Sequence, residues 1–244
     1  KKKINIDKKI KIKGRQMEGR LFTFLGEIVG HAQLPHIGAH LILTAVIVML
    51  VARAAIGKIQ LVPTGTQNVM EAYLQGVVTV GSDSMGKENA RKFLPLIATL
   101  GLLIVTGNMM GIIPGFESVT ANINFTLSLA LIVFAYYNYI GIKENGFAKY
   151  FGHMMGPVPA LAPLMFPIEL ISHISRIISL SFRLFGGIKG DDMFLMVLLM
   201  LVPWIAPLSG FFLLFAFGIL QAFIFMILTY VYIAGSVMMA EEDH

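Results

Sequence analysis

The chain has 244 residues, of which 56% are hydrophobic and only 14% are Asp, Glu, Lys or Arg, and its mean hydropathy is +0.76. Soluble domains carry about 25% charged residues. The composition therefore excludes an ordinary soluble protein and predicts an all-α polytopic membrane protein. The net charge of +5 does not indicate a nucleic-acid partner, because nine basic residues are crowded into positions 1–20. The chain has no cysteine, which excludes disulfides.

Residues 1–38 form a basic N-terminal segment and lead-in, which we interpret as a tail that faces water or lipid headgroups. The basic start is not followed by a cleavable apolar region, so no secretory signal is predicted. His31, His36 and His40 are spaced by five and four residues, and we interpret them as interfacial residues rather than metal ligands. We therefore expect no metal site and no cofactor.

Apolar stretches of about 20 residues, the length that crosses a bilayer, begin at residue 39. Residues 39–57 predict the first membrane helix, and residues 93–142 predict a helical hairpin. The segment between them, 58–92, predicts a cytoplasmic-side region with an interfacial helix at 64–86, because polar residues interrupt its apolar pattern. Residues 143–157 predict a second cytoplasmic-side loop.

The last apolar region, 158–240, predicts two long helices, followed by an acidic tail at 241–244. Residues 193–240 contain no charged residue and no histidine, and they exceed the length of one bilayer crossing. Pro203 and Pro207 mark the break, because proline cannot continue a helical ladder. Each helix of about 30 residues would reach about 45 Å, against about 30 Å for the bilayer core. We expect both to be strongly tilted, within a total of about five membrane helices plus the interfacial helix.

Lysine and arginine in short loops indicate orientation, because cytoplasmic loops are enriched in them. The 53–92 segment has five and the 143–157 loop has two, whereas 114–122 and 203–210 have none. This distribution predicts that the first two lie in the cytoplasm, with the N-terminus outside and the C-terminus in the cytoplasm. The basic residues at the start of the chain oppose this orientation, and we give more weight to the internal loops because they agree.

Charged side chains interrupt the first long helix. Glu169, Arg176 and Arg183 follow one another at seven-residue intervals, so they line one side of the helix. Ser172, Ser175 and Ser179 run beside them and allow a neighbouring helix to approach closely. An arginine at mid-bilayer costs about 2.5–3.5 kcal/mol on insertion scales and keeps its charge. We therefore predict a functional Arg183, while Glu169 and Arg176 are also open to a purely structural interpretation as a neutralised or snorkelling pair.

Three more polar residues stand in the same region. Asp191 and Asp192 follow Arg183 by about two turns and are either a solvated helix end or part of an ion pathway. Gln221 has no other polar side chain within seven positions on either side. An amide in such surroundings needs a hydrogen-bonding partner, and we predict that this partner is Arg183.

Several ordered motifs resemble the a subunit of F-type ATP synthases. They are "ISRIISLSFRLFGG" followed by a carboxylate, "LQAFIFMILTYVYIAGSVMMAEEDH" at the end of the chain, and the hairpin stretches "LPLIATLGLLIVTGNMMGIIPG" and "ANINFTLSLALIVF". The resemblance covers roughly residues 39–240. It implies a multi-pass stator in the lipid bilayer of a bacterial inner membrane, with a ring of rotor c subunits and peripheral-stalk b subunits as partners. ATP chemistry would belong to other subunits, so this chain would have no catalytic chemistry of its own.

The resemblance also implies which residues translocate protons. Arg183 falls on the family's essential arginine, and Gln221 matches the glutamine that faces it. Asp192 falls where the family usually has Glu or His, and Asp191 beside it is a second candidate for the same role. The other matched polar positions are Glu169, Ser179, Asn108 and Tyr232, with Arg176 in a secondary role.

The sequence departs from the family pattern at three positions. Gly187 replaces the usual Asn after Arg-Leu-Phe-Gly, Leu214 stands where some members carry a His or Glu, and Gly111 stands where some carry Asp. The mechanism implied is that Arg183 forces a rotor carboxylate to lose its proton and separates two offset half-channels. The alternatives are a secondary transporter that binds an anionic substrate at Arg183, or Na⁺ as the coupling ion.

Overall fold

Helices make up nearly all of the described part of the chain, which in this computed structural model is residues 33–57, 65–113, 115–146, 150, 152, 162–201 and 206–238. No strand occurs within these ranges, which confirms the all-α prediction. The basic start, the expected break at Pro203 and the acidic tail lie outside the described residues. The helices are α1 (Gln33–Ile56), α2 (Thr66–Ile112), α3 (Ile123–Asn145), α4 (Ala162–Leu201) and α5 (Ala206–Met238), with a 3₁₀ turn at Val119–Ala121.

Four of the described helices, α1, α2, α3 and α5, are long and apolar enough to cross a membrane. Their number confirms a polytopic membrane protein. Helix α4 is longer than three of them but does not belong to this set. It carries six charged side chains between Glu169 and Asp192, and each of them opposes insertion as a simple membrane span.

Helix α2 contains a break at Gly86, which has φ 77° and ψ 161°. These angles lie outside the helical region and in a region that residues with a Cβ rarely adopt. The helix is therefore two segments, 66–85 and 87–112. The first coincides with the stretch predicted as an interfacial helix, and the second begins the predicted hairpin.

Local sequence signals define both ends of α3. At its start, the Asn122 side chain accepts a hydrogen bond from the backbone N–H of Asn124 at 2.9 Å, which satisfies one of the free donors of the first turn. At its end, Gly146 adopts φ 77° and its N–H bonds to the carbonyl of Ile142. The 3₁₀ turn lies directly before α3 in the chain and contacts α2.

The core lies where α2 packs against α5, with α3 and α4 completing it. A Cβ on Gly81 would lie 2.5 Å from the Tyr230 ring, so the glycine lets α5 approach α2 closely. This packing fixes α5 beside α4 and thereby positions the polar residues of both helices. The largest fully buried side chains include Phe93, Ile97, Tyr137, Phe225 and Tyr230.

The last two described helices have 40 and 33 residues. At 1.5 Å per residue they are about 60 and 50 Å long, well beyond the bilayer core of about 30 Å. Helix α4 continues past residue 190 to Leu201, so the apolar residues after Asp192 extend it. Exposed aromatic residues such as Phe182 and Phe212 cover their outer faces. The strong tilt of these helices in the bilayer stays a prediction.

Candidate functional site

Arg183 lies on an exposed face of α4 that consists of small residues. Along this face, Ser175, Ser179, Arg183, Gly186 and Gly190 follow one another at intervals of three or four residues. All five are exposed. A Cβ on either glycine would meet no atom within 4 Å. Arg183 forms no ion pair with any described residue. The face therefore presents a permanent charge on a surface that another helix can approach closely.

Gln221 of α5 contacts the same turn of α4. Its Nε2 donates a hydrogen bond of 2.7 Å to the backbone carbonyl of Arg183. The sequence predicts pairing of the two side chains, whereas this contact uses the backbone and leaves the guanidinium out of the bond. A Cβ on Gly187 would lie 3.2 Å from the Gln221 Oε1. The glycine that replaces the usual Asn therefore makes room for the amide.

Asp191 and Asp192 line a pocket at the far end of the charged segment, between α4, α5 and the end of α2. Leu214 is buried and forms part of its wall, so this position contributes an apolar surface in place of a titratable group. A Cβ on Gly111 would lie 2.6 Å from the Ser118 Cβ, so there is no room here for a larger residue without rearrangement. The other lining residues are Asn108, Ile112, Ser118 and Ile188.

Two of the residues that line this pocket, Asn108 and Ser118, belong to a buried hydrogen-bond network. Asn108 donates from Nδ2 to the carbonyl of Gly218 on α5 at 2.8 Å and accepts a short hydrogen bond from the Thr120 hydroxyl. The Ser118 hydroxyl lies 2.6 Å from that of Thr120 and donates to the carbonyl of Gly107 at 3.1 Å. The amide of Asn108, predicted as a site residue, therefore connects α2, the 3₁₀ turn and α5.

Lys189 connects α4 to the chain preceding the 3₁₀ turn. Its Nζ lies 3.9 Å from an oxygen of Asp192 and 3.8 Å from an oxygen of Glu117. The i, i+3 spacing of Lys189 and Asp192 is visible in the sequence, but the approach of Glu117 requires the fold. Neither Lys189 nor Glu117 belongs to the predicted site.

A second polar cluster surrounds Glu169 near the other end of α4. Glu169 Oε1 lies 3.5 Å from Nε2 of His173, and His173 Nδ1 lies 2.8 Å from the hydroxyl of Tyr137 on α3. The Tyr137 and His173 rings are stacked, with centroids 5.8 Å apart. The guanidinium of Arg176 lies 5.7 Å from the centroid of the Tyr232 ring. The structure thus brings Glu169, Arg176 and Tyr232 together and adds His173 and Tyr137, which the sequence pattern does not single out.

Tyr150 extends this cluster outside the membrane helices. Its hydroxyl donates to Asn138 Oδ1 at 2.7 Å, and its ring packs where a Cβ on Gly141 would lie 2.5 Å from it. Burial raises the pKa of Tyr150. The hydroxyl is therefore a neutral hydrogen-bonding group, which stabilises the end of α3 beside the Glu169 cluster.

The two polar clusters lie on opposite sides of Arg183 along α4. Glu169 precedes Arg183 by fourteen residues, or about 21 Å of helix, and Asp192 follows it by nine residues, or about 14 Å. Among the described residues, no group of three or more His, Asp or Glu side chains could hold a metal ion. The titratable groups of α4 thus form two separate sets with Arg183 between them.

The fold and these clusters define a polytopic helical membrane protein with an exposed arginine between two sets of titratable groups. The sequence profile of the ATP synthase A chain family matches residues 38–234. The chain is 69% identical to ATP synthase subunit a of Aliarcobacter butzleri (strain RM4018), over 93% of this chain and all of the relative. It is 61% identical to the subunit of the same name from a Nitratiruptor species over 93% of this chain and all of the relative, and 59% identical to that from Campylobacter curvus (strain 525.92) over 92% and 99%. The chain belongs to the ATP synthase A chain family.

Proposed function

We propose that this chain is the membrane stator of a rotary F-type ATP synthase and passes protons to and from the carboxylates of a ring of rotor c subunits. The observation that carries this function is Arg183, exposed on the small-residue face of α4 and without an ion pair among the described residues. A charge of this kind in a membrane helix is stable only opposite a partner. A rotor carboxylate supplies that partner.

The arginine acts on the rotor carboxylate through its electric field. A carboxylate turns through lipid only in its neutral form, because a bare charge there is strongly disfavoured. Opposite Arg183 the ionised form is favoured, so the proton leaves. The fixed positive charge also prevents protons from passing directly between the two half-channels. Gln221 holds the backbone of Arg183 and thereby fixes the turn from which the guanidinium extends.

The two polar clusters supply the half-channels in this proposal. Asp192, with Asp191 and Asn108, forms the site on the outer side, where the pocket lies. Glu169, with Tyr232 and Arg176, forms the site on the cytoplasmic side. Ser179 lies on the exposed face between Glu169 and Arg183 and offers a hydroxyl along the path. Each proton that crosses 100 mV releases about 2.3 kcal/mol, which drives rotation.

The remaining assignments complete the proposal. The protein lies in the bacterial cytoplasmic membrane, with the start of α1 on the outer side and the end of α5 in the cytoplasm. Peripheral-stalk b subunits hold it against the rotating ring. Bond formation in ATP takes place in other subunits, and protons rather than Na⁺ are the coupling ion.

The test is ATP-driven proton pumping by inverted vesicles that contain the whole complex. Arg183→Ala is expected to abolish pumping while the subunit still assembles. Arg183→Lys is expected to impair pumping severely, because an ammonium is a compact charge that loses its proton when buried. Arg176→Ala is the comparison variant and should be much milder. Pumping at the wild-type rate by an assembled Arg183→Ala complex would exclude this function.

A further inference from the structure

The cluster around Glu169 contains a buried histidine for which the proposed function has no role. The His173 side chain is 5% exposed, and that of Tyr137 is 1% exposed. Packing alone does not require a ring with two nitrogens here, yet both nitrogens face polar partners from different places in the fold. One faces a carboxylate on its own helix, and the other faces a hydroxyl on α3.

We propose that His173 carries a proton to and from Glu169 on the cytoplasmic side of the stator, with Tyr137 holding the ring in the orientation that allows the transfer. This inference rests on the proposed function, since it assigns a further residue to the same half-channel. Imidazole suits the task because it gains and loses a proton near neutral pH and can do so at either nitrogen.

The transfer is a single proton moving between two heavy atoms. The transfer requires the tautomer in which His173 Nδ1–H donates to the Tyr137 oxygen, 2.8 Å away, so that the lone pair of Nε2 is directed toward Glu169. The protonated Glu169 carboxyl gives its proton to Nε2, so that a carboxylate and an imidazolium face each other, and the reverse step returns it. The 3.5 Å between Nε2 and Oε1 must shorten for transfer, which is usual for sites at rest.

Among the described residues, the other titratable groups around this pair are one arginine and three tyrosines. Arg176 lies one turn farther along α4, with its guanidinium over the Tyr232 ring. The groups that face the pair from other helices are Tyr137 on α3 and Tyr232 on α5, together with Tyr150 beyond α3. None of these three is an acid at neutral pH, so Glu169 is the only carboxylate among these groups. The Glu169 side chain is 33% exposed at the surface of the chain.

The experiment compares variants of the assembled complex in inverted vesicles, with pumping normalised to the amount of complex. His173→Gln keeps an amide that can bond to Tyr137 but cannot take up a proton, and it is expected to lower pumping about tenfold or more. Tyr137→Phe keeps the ring stack and removes the oxygen, and it is expected to lower pumping severalfold. Tyr230→Phe is the matched control, a fully buried tyrosine that packs against α2, and it should pump at the wild-type rate.

Chemical rescue separates proton transfer from packing. In His173→Ala, added imidazole is expected to restore pumping, whereas pyrazole, a ring of the same size that is not protonated near neutral pH, is not. Equal rescue by both, or wild-type pumping by His173→Gln, would overturn the role of His173. If Arg183→Ala abolishes pumping while His173→Gln pumps normally, only this inference fails. If Arg183→Ala still pumps, the proposed function itself fails.

Discussion

Gly187 and Gln221 meet at the level of Arg183, where α4 and α5 are in contact. The amide of Gln221 reaches the carbonyl of Arg183 because no side chain occupies the space above Gly187. A carbonyl in the middle of α4 already accepts a hydrogen bond within the helix, and the amide uses its second lone pair. This bond joins the two helices at the turn that carries the charge.

We expect Gly187→Val to break the hydrogen bond between Gln221 and the Arg183 carbonyl. Its Cβ would lie 3.2 Å from Oε1 and 3.3 Å from Cδ of Gln221, and its methyl groups would extend into the amide. Losing the hydrogen bond would cost about 0.5–1.5 kcal/mol and, in the proposed function, move Arg183 relative to the rotor carboxylate. ATP-driven pumping should fall severalfold or more. Gly235→Val on α5, where a Cβ would meet no atom within 4 Å, is the control. Equal pumping by both variants would contradict the role of the contact.

Single residues also show how far the sequence could predict the site. Arg183 and Gln221 could be selected from the sequence because each is a polar group in an apolar helix, where a polar side chain without a partner costs free energy. His173 and Tyr137 could not be paired, because 36 residues and a change of helix separate them. Glu117 lies in the segment before the 3₁₀ turn, so its approach to Lys189 depends on how α4 packs against that turn. Such pairings follow from tertiary structure and leave no periodic signal.

In α2, the backbone conformation of a single residue divides one long helix into two segments. Gly86 separates a half-exposed first segment from a second segment that supplies much of the core, including Phe93, Ile97 and Ile104. Because φ is positive there, the chain changes direction without a loop. The sequence predicted two segments on composition. The predicted interfacial helix at 64–86 ends at this break, but composition could not show that the helix resumes directly after Gly86, because that depends on the backbone angles of one residue.

Substitution of Gly86 tests this conformation directly. A Cβ at Gly86 would meet no atom within 4 Å, so Gly86→Ala introduces backbone strain without a clash. We expect it to lower the free energy of unfolding by about 1–3 kcal/mol. Gly76→Ala is the matched control: it lies in regular helix and has equally open space, and it should stabilise by about 0.5–1 kcal/mol. Thermal unfolding in detergent measures both. A destabilised Gly76→Ala with an unchanged Gly86→Ala would refute this account.

For the whole molecule, the important feature is the separation of two polar clusters along one continuous helix. The pocket around Asp192 and the cluster around Glu169 lie on either side of Arg183, more than twenty residues of α4 apart. The proposed function requires such a separation, because two half-channels that met would leak protons. The polar residues of each cluster come from three different elements, so their assembly depends on tertiary structure, which the spacing of residues in the sequence does not give.

Thiol labelling from the two sides of the membrane tests this separation, because the native chain has no cysteine. We expect Asp192→Cys to react with a membrane-impermeant reagent from the outer side only. Glu169→Cys should react from the cytoplasmic side only. Thr229→Cys, at a fully buried position of α5, is the control that should not react from either side. Labelling of both test positions from the same side would be incompatible with two half-channels that open in opposite directions.

The charged side chains of α4 have a consequence for how the protein is made. The insertion machinery releases a segment into lipid when its residues favour the bilayer, and each central Arg or Asp opposes this by about 2.5–3.5 kcal/mol. Helix α4 is not among the four described helices that are apolar enough to cross a membrane, whereas α5 is the most apolar of those four. Helix α4 should therefore wait at the translocation site until α5 emerges, and the two should enter lipid as one unit. A nascent chain that stops before α5 is expected to leave α4 extractable by alkaline carbonate, while a chain that continues through α5 holds it in the bilayer.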